Sequence, residues 1–116
     1  MNYAETMAYG TGQYRPVIDG LRDAGLPAQF VQTGGMCAAL EVRLETGHVL
    51  IVTEADDSLS WDWAHHHSWG VGAYTAKSYE NSFSDQLGYV ESENGDLPTL
   101  IKLIEQLIGD LIQSAS

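Results

Sequence analysis

The chain has 116 residues, of which 44% are hydrophobic and 18% are charged; these values are ordinary for one globular domain and argue against wholesale disorder. Five Lys and Arg against sixteen Asp and Glu give a formal net charge of −11 at pH 7. Because nucleic-acid phosphates and anionic lipids repel such a chain, direct binding to nucleic acid or to a membrane surface is not expected.

The sequence shows no sign of export or membrane insertion. Its first residues have neither the basic start nor the apolar run of a signal peptide, and no apolar run approaches the ~18 residues of a membrane span. Cys37 is the single cysteine, which excludes an internal disulfide, and its neighbours Met36 and Ala38 predict a small buried side chain. We therefore expect a soluble cytoplasmic protein.

The first predicted helix covers about residues 14 to 24. Apolar residues recur there at helical spacing, namely Tyr14, Val17, Ile18 and Leu21. Pro16 suits the first turn, and Gly25 stands where a left-handed residue would end the helix. Residues 1 to 12 are weakly patterned, and we predict a loose lead-in.

Three strands in a meander are predicted next. Residues 29 to 33 form a strand in this interpretation, Gly34 and Gly35 its turn, and residues 36 to 44 the returning strand. The returning strand alternates apolar and polar residues, which indicates an antiparallel sheet with one covered face. Residues 48 to 53 are rich in β-branched side chains and predict a third strand.

An excursion loop over residues 54 to 68 separates these strands from the next one, at residues 69 to 76. Gly70 and Gly72 lie on the same face of that strand. Without side chains there, a helix, a neighbouring backbone or an aromatic ring can approach closely. Residues 77 to 86 are loop-like, and residues 87 to 91 predict a short fifth strand.

The C-terminal helix has the strongest pattern. Asp96 is predicted to be its N-cap, and Pro98 lies in its first turn. One broad apolar stripe consists of Leu100, Ile101, Leu103, Ile104, Leu107, Ile108, Leu111 and Ile112. The dry face of the sheet is the natural place to bury it. The predicted fold is therefore a single two-layer α+β domain over residues 1 to 116, with an antiparallel sheet of four or five strands in chain order and both helices on one face.

Acidic and aromatic residues concentrate in the stretch from residue 54 to residue 96. It holds nine of the sixteen carboxylates, namely Glu54, Asp56, Asp57, Asp62, Glu80, Asp85, Glu91, Glu93 and Asp96. Lys77 is the only Lys or Arg in this stretch. Seven of the aromatic residues lie there as well, namely Trp61, Trp63, Trp69, Tyr74, Tyr79, Phe83 and Tyr89.

This composition predicts a surface that binds another protein. The predicted anchors are Trp61, Trp63 and Trp69, since Trp is enriched at the energetic centres of interfaces. The carboxylates predicted to face basic residues of the partner are Asp56, Asp57, Asp62, Glu80 and Asp85. The alternative is that the tryptophans fold down and close the end of the sheet, while the acidic residues serve solubility.

His65, His66 and His67 form the only cluster with metal-ligand chemistry. In an extended segment, His65 and His67 point the same way, about 6.5 Å apart, and could share one metal ion with Asp57 or Asp62. No second pair of His or Cys completes such a site. The sequence contains no nucleophile-elbow motif and no phosphate-binding loop, and we predict no cofactor.

Four segments resemble small proteins of actinobacterial genomes, actinophages and prophages. They are Leu21-Arg-Asp-Ala-Gly-Leu-Pro27, Val31-Gln-Thr-Gly-Gly35, His48-Val-Leu-Ile-Val-Thr53 and Trp69-Gly-Val-Gly-Ala-Tyr74. None is a catalytic motif. The resemblance implies a phage or mobile-element setting and assigns no role to any residue.

We therefore predict a non-catalytic, acidic interaction protein. It would be a phage or mobile-element inhibitor or adaptor that occludes a basic, nucleic-acid-binding surface of a partner protein. One alternative is a small metal-dependent enzyme that uses the loop of His65 and His67. Another is a structural module that forms a homodimer through the exposed sheet face or the edge strand at residues 29 to 33.

Overall fold

A five-stranded antiparallel sheet organises the chain. The computed structural model describes residues 3–34, 37–55, 57–80 and 86–115, and its strands lie side by side in chain order. They are β1 (Ala28–Gly34), β2 (Cys37–Arg43), β3 (His48–Thr53), β4 (Trp69–Thr75) and β5 (Gln86–Ser92). Each neighbouring pair is antiparallel. The predicted meander is confirmed, including its fifth strand.

Four α-helices complete the described structure. They are α1 (Tyr3–Gln13), α2 (Arg15–Asp23), α3 (Ala76–Glu80) and α4 (Leu97–Ala115). Helices α1, α2 and α4 pack on one face of the sheet, which confirms the α+β class. No helix in the described ranges is both long and apolar enough to cross a membrane.

Two predictions about local structure were wrong. Residues 1 to 12 were predicted to be a loose lead-in, but helix α1 begins at Tyr3 and packs on β1. Its stability comes from this tertiary contact, which a weak local pattern does not reveal. The predicted loop at residues 77 to 86 begins instead with the short helix α3, and residues 81 to 85 lie outside the described part of the chain.

The core lies between the sheet and helices α2 and α4. Its fully buried sheet residues include Leu40, Val42, Leu50 and Val52, and α4 contributes Leu100, Ile104 and Leu107. The predicted N-cap is confirmed, since Oδ1 of Asp96 accepts a hydrogen bond from the backbone N–H of Thr99 at 2.9 Å. Gly25, at φ +83°, follows the end of α2 as predicted.

The opposite face of the sheet is covered by α3 and by tyrosine rings. A Cβ atom at Gly70 would lie 2.4 Å from the hydroxyl oxygen of Tyr89, and one at Gly72 would lie 3.0 Å from that of Tyr74. Aromatic side chains therefore make the predicted close approach to the two glycines. Cys37 was predicted to be buried, but it is exposed, because it lies at the first residue of β2.

The contact between α1 and the sheet predicts opposite effects for two glycines of the same helix. A Cβ atom at Gly10 would lie 2.2 Å from Cζ of Phe30, whose buried ring also packs against Tyr14 and Trp61. We expect Gly10→Ala to lower the free energy of unfolding by about 1–3 kcal/mol, as in other overpacked cores. Urea denaturation measures this change.

The matched control is Gly12→Ala. A Cβ atom at Gly12 has nothing within 4 Å, so the gain in helix propensity should leave stability unchanged or raise it by up to about 1 kcal/mol. Equal effects of the two substitutions would contradict the packing of α1 on β1.

Candidate functional site

The carboxylate of Glu54 joins the two ends of the loop between β3 and β4. Only 2% of this side chain is exposed. Its Oε1 accepts hydrogen bonds from the backbone N–H groups of His67 and Ser68, both at 3.0 Å. Its Oε2 lies 2.6 Å from Nδ1 of His66. The residue that follows β3 thus contacts the three residues that precede β4.

These contacts keep Glu54 ionised although it is buried. Burial would raise the pKa of this carboxyl group, because it penalises the charged form. The backbone N–H of His67, the ring of His66 and the backbone N–H of Ser68 outweigh burial and lower the pKa below its usual value. A buried carboxylate that is fully hydrogen-bonded organises the surrounding backbone.

The ring of His66 continues this network to the connection between β5 and α4. Its side chain is also 2% exposed, and its Nε2 lies 2.9 Å from the carbonyl oxygen of Gly95. The ring packs against Trp69 and Trp63, with centroid distances of 4.0 and 4.9 Å. The sequence pattern pointed only to the outer two histidines as ligands, and nothing in it indicated the roles of Glu54 and His66.

The three tryptophans do not form one contact surface. Trp69 was predicted to anchor a partner, but it is fully buried, and its Nε1–H donates a hydrogen bond to the carbonyl oxygen of Asp96 at 2.7 Å. Trp61 is half-buried and packs against Phe30, with a centroid distance of 5.3 Å. Trp63 is 43% exposed. The alternative that the indoles close the end of the sheet therefore applies to Trp69 and largely to Trp61.

Trp63 lies in an exposed patch with Tyr9 and Asp62, which we call the Trp63 patch. Tyr9 is 40% exposed, and its hydroxyl group donates a hydrogen bond to Oδ1 of Asp62. The backbone N–H of Trp63 donates to Oε1 of Gln13 at 3.0 Å, and its ring meets the edge of Tyr14. Helix α1, which the sequence did not predict, therefore supplies part of this surface.

The predicted acidic residues are distributed over several places. Asp57 is exposed in the loop, and Asp62 belongs to the Trp63 patch. Glu80 is the last residue of α3. Asp56 and Asp85 lie outside the described residues. That all five carboxylates share one surface stays a prediction.

An acidic cleft, which sequence analysis missed, opens beside the loop. It has a volume of about 510 Å³ and is lined by Ala55, His67, Ser68, Glu91, Ser92 and Glu93. Its two glutamates come from β5 and the turn after it. The segments 54–68 and 86–96, which meet here, contain no Lys or Arg. This end of the sheet therefore presents exposed carboxylates without Lys or Arg from either segment.

The outer histidines have different carboxylate partners. Nδ1 of His65 lies 3.6 Å from Oδ2 of Asp62, whereas Nδ1 of His67 lies 3.3 Å from Oε1 of Glu54. Both rings are mostly exposed. Within the described ranges, no three His, Cys, Asp or Glu side chains converge to hold a metal ion. Nδ1 of His67 also lies 3.2 Å from the carbonyl oxygen of His65.

Comparisons with known proteins found no matching family model, no matching curated protein and no matching solved structure. The chemistry of the residues themselves is the basis for inferring a function. Three features bear on that function, namely the Trp63 patch, the acidic cleft and the buried pair of Glu54 and His66.

The ionised state of Glu54 predicts a specific sensitivity to acid. Its pKa is lowered in the folded protein, so its stabilisation is complete above the unfolded value of about 4.3 and is lost as the pH falls through the folded value. We expect Glu54→Gln to lower the free energy of unfolding at pH 7 by about 1.5–3 kcal/mol, the range for hydrogen bonds to charged groups.

Urea unfolding between pH 7 and pH 3 checks this prediction. The difference between the parent protein and Glu54→Gln should shrink as the pH falls, because the parent loses the same carboxylate by protonation. Glu105→Gln, an exposed substitution on α4, is the control and should follow the parent curve. A constant difference between parent and Glu54→Gln would contradict the assignment.

Proposed function

We propose that this protein is a non-catalytic, acidic binding domain that docks on a basic surface of a partner protein. The observation that supports this most directly is the Trp63 patch, where two exposed aromatic rings adjoin a carboxylate. A large exposed indole beside acidic residues has the composition of an interface centre with a polar rim. In this proposal Trp63 is the main anchor, and Trp69 belongs to the scaffold.

The net charge of the chain indicates what kind of partner it would bind. The net charge of −11 accelerates association with a positively charged protein and opposes association with another acidic one. Exposed carboxylates near the loop include Asp57, Glu91 and Glu93. Proteins that bind nucleic acid present such basic surfaces, so occlusion of a nucleic-acid groove fits a phage or mobile-element inhibitor or adaptor.

The hydrogen bonds of the buried pair of Glu54 and His66 favour a binding function over catalysis. Glu54 and His66 are adjacent, as in an acid–base dyad, but both ring nitrogens and both carboxylate oxygens already have partners within the protein. A general base needs an atom within reach of substrate. This pair has a structural role in the proposed function.

Capture of a partner by the immobilised protein tests the proposal, using a lysate of the organism that carries the gene. We expect a basic protein that is retained at low salt and released at high salt, because exposed charges are screened. Once the partner is purified, Trp63→Ala should weaken its affinity about 30-fold, equivalent to about 2 kcal/mol.

The control substitution is Leu87→Ala. Leu87 is 46% exposed, near the start of β5 and so at the opposite end of the sheet, and its removal should leave the affinity unchanged. Light scattering during size-exclusion chromatography separately tests the homodimer predicted as an alternative. Full affinity of Trp63→Ala for the partner would refute the proposed interface.

A further inference from the structure

His66 lies between two hydrogen-bond acceptors. A carbonyl oxygen cannot donate, so the 2.9 Å contact with Gly95 requires a proton on Nε2. On the other side, Oε2 of Glu54 lies 2.6 Å from Nδ1. Two backbone N–H groups donate to the other oxygen of this carboxyl group and favour its ionised form, which requires a second ring proton on Nδ1.

We propose that His66 is a buried imidazolium at neutral pH and serves as a proton-dependent latch between Glu54 and Gly95. The latch fastens the loop of residues 54–68 to the connection between β5 and α4. When both ring nitrogens of a histidine face hydrogen-bond acceptors, only the charged imidazolium has the two N–H donors that these acceptors need. This inference does not depend on the proposed function.

The surroundings of the ring favour the charged form. Glu54, at the end of β3, is the carboxylate in direct contact, and His67 approaches the other oxygen of that carboxylate. From the residue before α2, the ring of Tyr14 meets His66 edge-on, and its hydroxyl group donates to the carbonyl oxygen of Ser60. Burial and the negative charges of Glu54 and Asp62 raise the pKa of Tyr14, so this phenol stays neutral.

The remaining described neighbours place no positive charge against the ring that would disfavour the imidazolium. Trp63 and Trp69 present indole rings, from the loop and from β4 respectively. Beyond Gly95, the carboxylate of Asp96 accepts the N–H of Thr99 and is committed to the cap of α4. The contacts of the described residues thus place one carboxylate against His66 and no Lys or Arg.

Close packing at Gly95 makes the latch sensitive to the proton. A Cβ atom at Gly95 would lie 2.8 Å from Nε2 of His66 and 3.0 Å from the backbone carbon of His67, so the two segments are in direct contact. Loss of either ring proton places a lone pair against an oxygen, and the segments must separate or admit water. Trp63, which is exposed, packs on the ring and so lies next to this change.

The sign of the pH dependence follows from the two groups. The latch is intact while His66 holds both protons and Glu54 is ionised. It is lost at low pH, where Glu54 becomes protonated, and at high pH, where His66 releases a proton. If the Trp63 patch binds the partner, as in the proposed function, the same pH window limits that affinity.

Imidazole ¹⁵N NMR of the full chain tests the inference directly. At pH 7 we expect two nitrogen-bound ring protons on His66, with the exposed ring of His65 as an internal reference. In Glu54→Gln, we expect the His66 ring to hold only one nitrogen-bound proton at pH 7, because the adjacent opposite charge has been removed. Glu105→Gln should leave both ring protons in place.

A second measurement separates the latch from a passive structural contact. Backbone amide signals of residues 54–68 and 93–96 should change with the same pH midpoint as the His66 ring, while those of β2 and β3 stay fixed. A neutral His66 ring at pH 7 in the parent protein, or a doubly protonated ring in folded Glu54→Gln, would overturn the inference. Neither readout requires a partner, so failure of the proposed function would not affect this test.

Discussion

The hydrogen-bonded carboxylate of Glu54 is the constraint on which the loop end of this structure depends. Burying a charge is costly unless donors replace water, and here two backbone N–H groups and an imidazole do so. The last residue before the loop thereby fixes the residues that lead into β4. Through His66 and Gly95, the same contact also fixes the start of α4. One acidic side chain therefore positions three elements.

This constraint explains how similar aromatic residues acquire different roles. Holding residues 66–68 against Glu54 directs Trp69 into the core, where its indole N–H contacts the residue that caps α4. Trp63 begins the short 3₁₀ helix Trp63–His65, packs its ring against Tyr14 and donates a hydrogen bond from its backbone N–H to Gln13 of α1. Trp63 is therefore supported from beneath and exposed above, a combination suited to an interface anchor.

A second buried carboxylate organises the opposite face of the sheet in a similar way. Glu41 accepts hydrogen bonds from Gln29 and Arg43, both at 2.8 Å, and from the hydroxyl of Tyr79 in α3 at 2.5 Å. Burial opposes ionisation, but these donors lower the pKa of Glu41, and burial with this contact raises the pKa of Tyr79 to about 12. A buried carboxylate thus holds a segment with a weak sequence pattern in each case: Glu54 holds the loop of residues 54–68, and Glu41 holds α3.

The sequence by itself determined the strands, their order, helices α2 and α4 and the cap at Asp96, because alternation, helical spacing and capping act over a few neighbouring residues. Only the tertiary structure decided that α1 forms, that Trp69 is buried while Trp63 is exposed, and that His66 meets Glu54 and Gly95. Those partners lie 12 and 29 residues away in the chain. Such contacts depend on how a long loop folds back, and no local periodicity encodes that path.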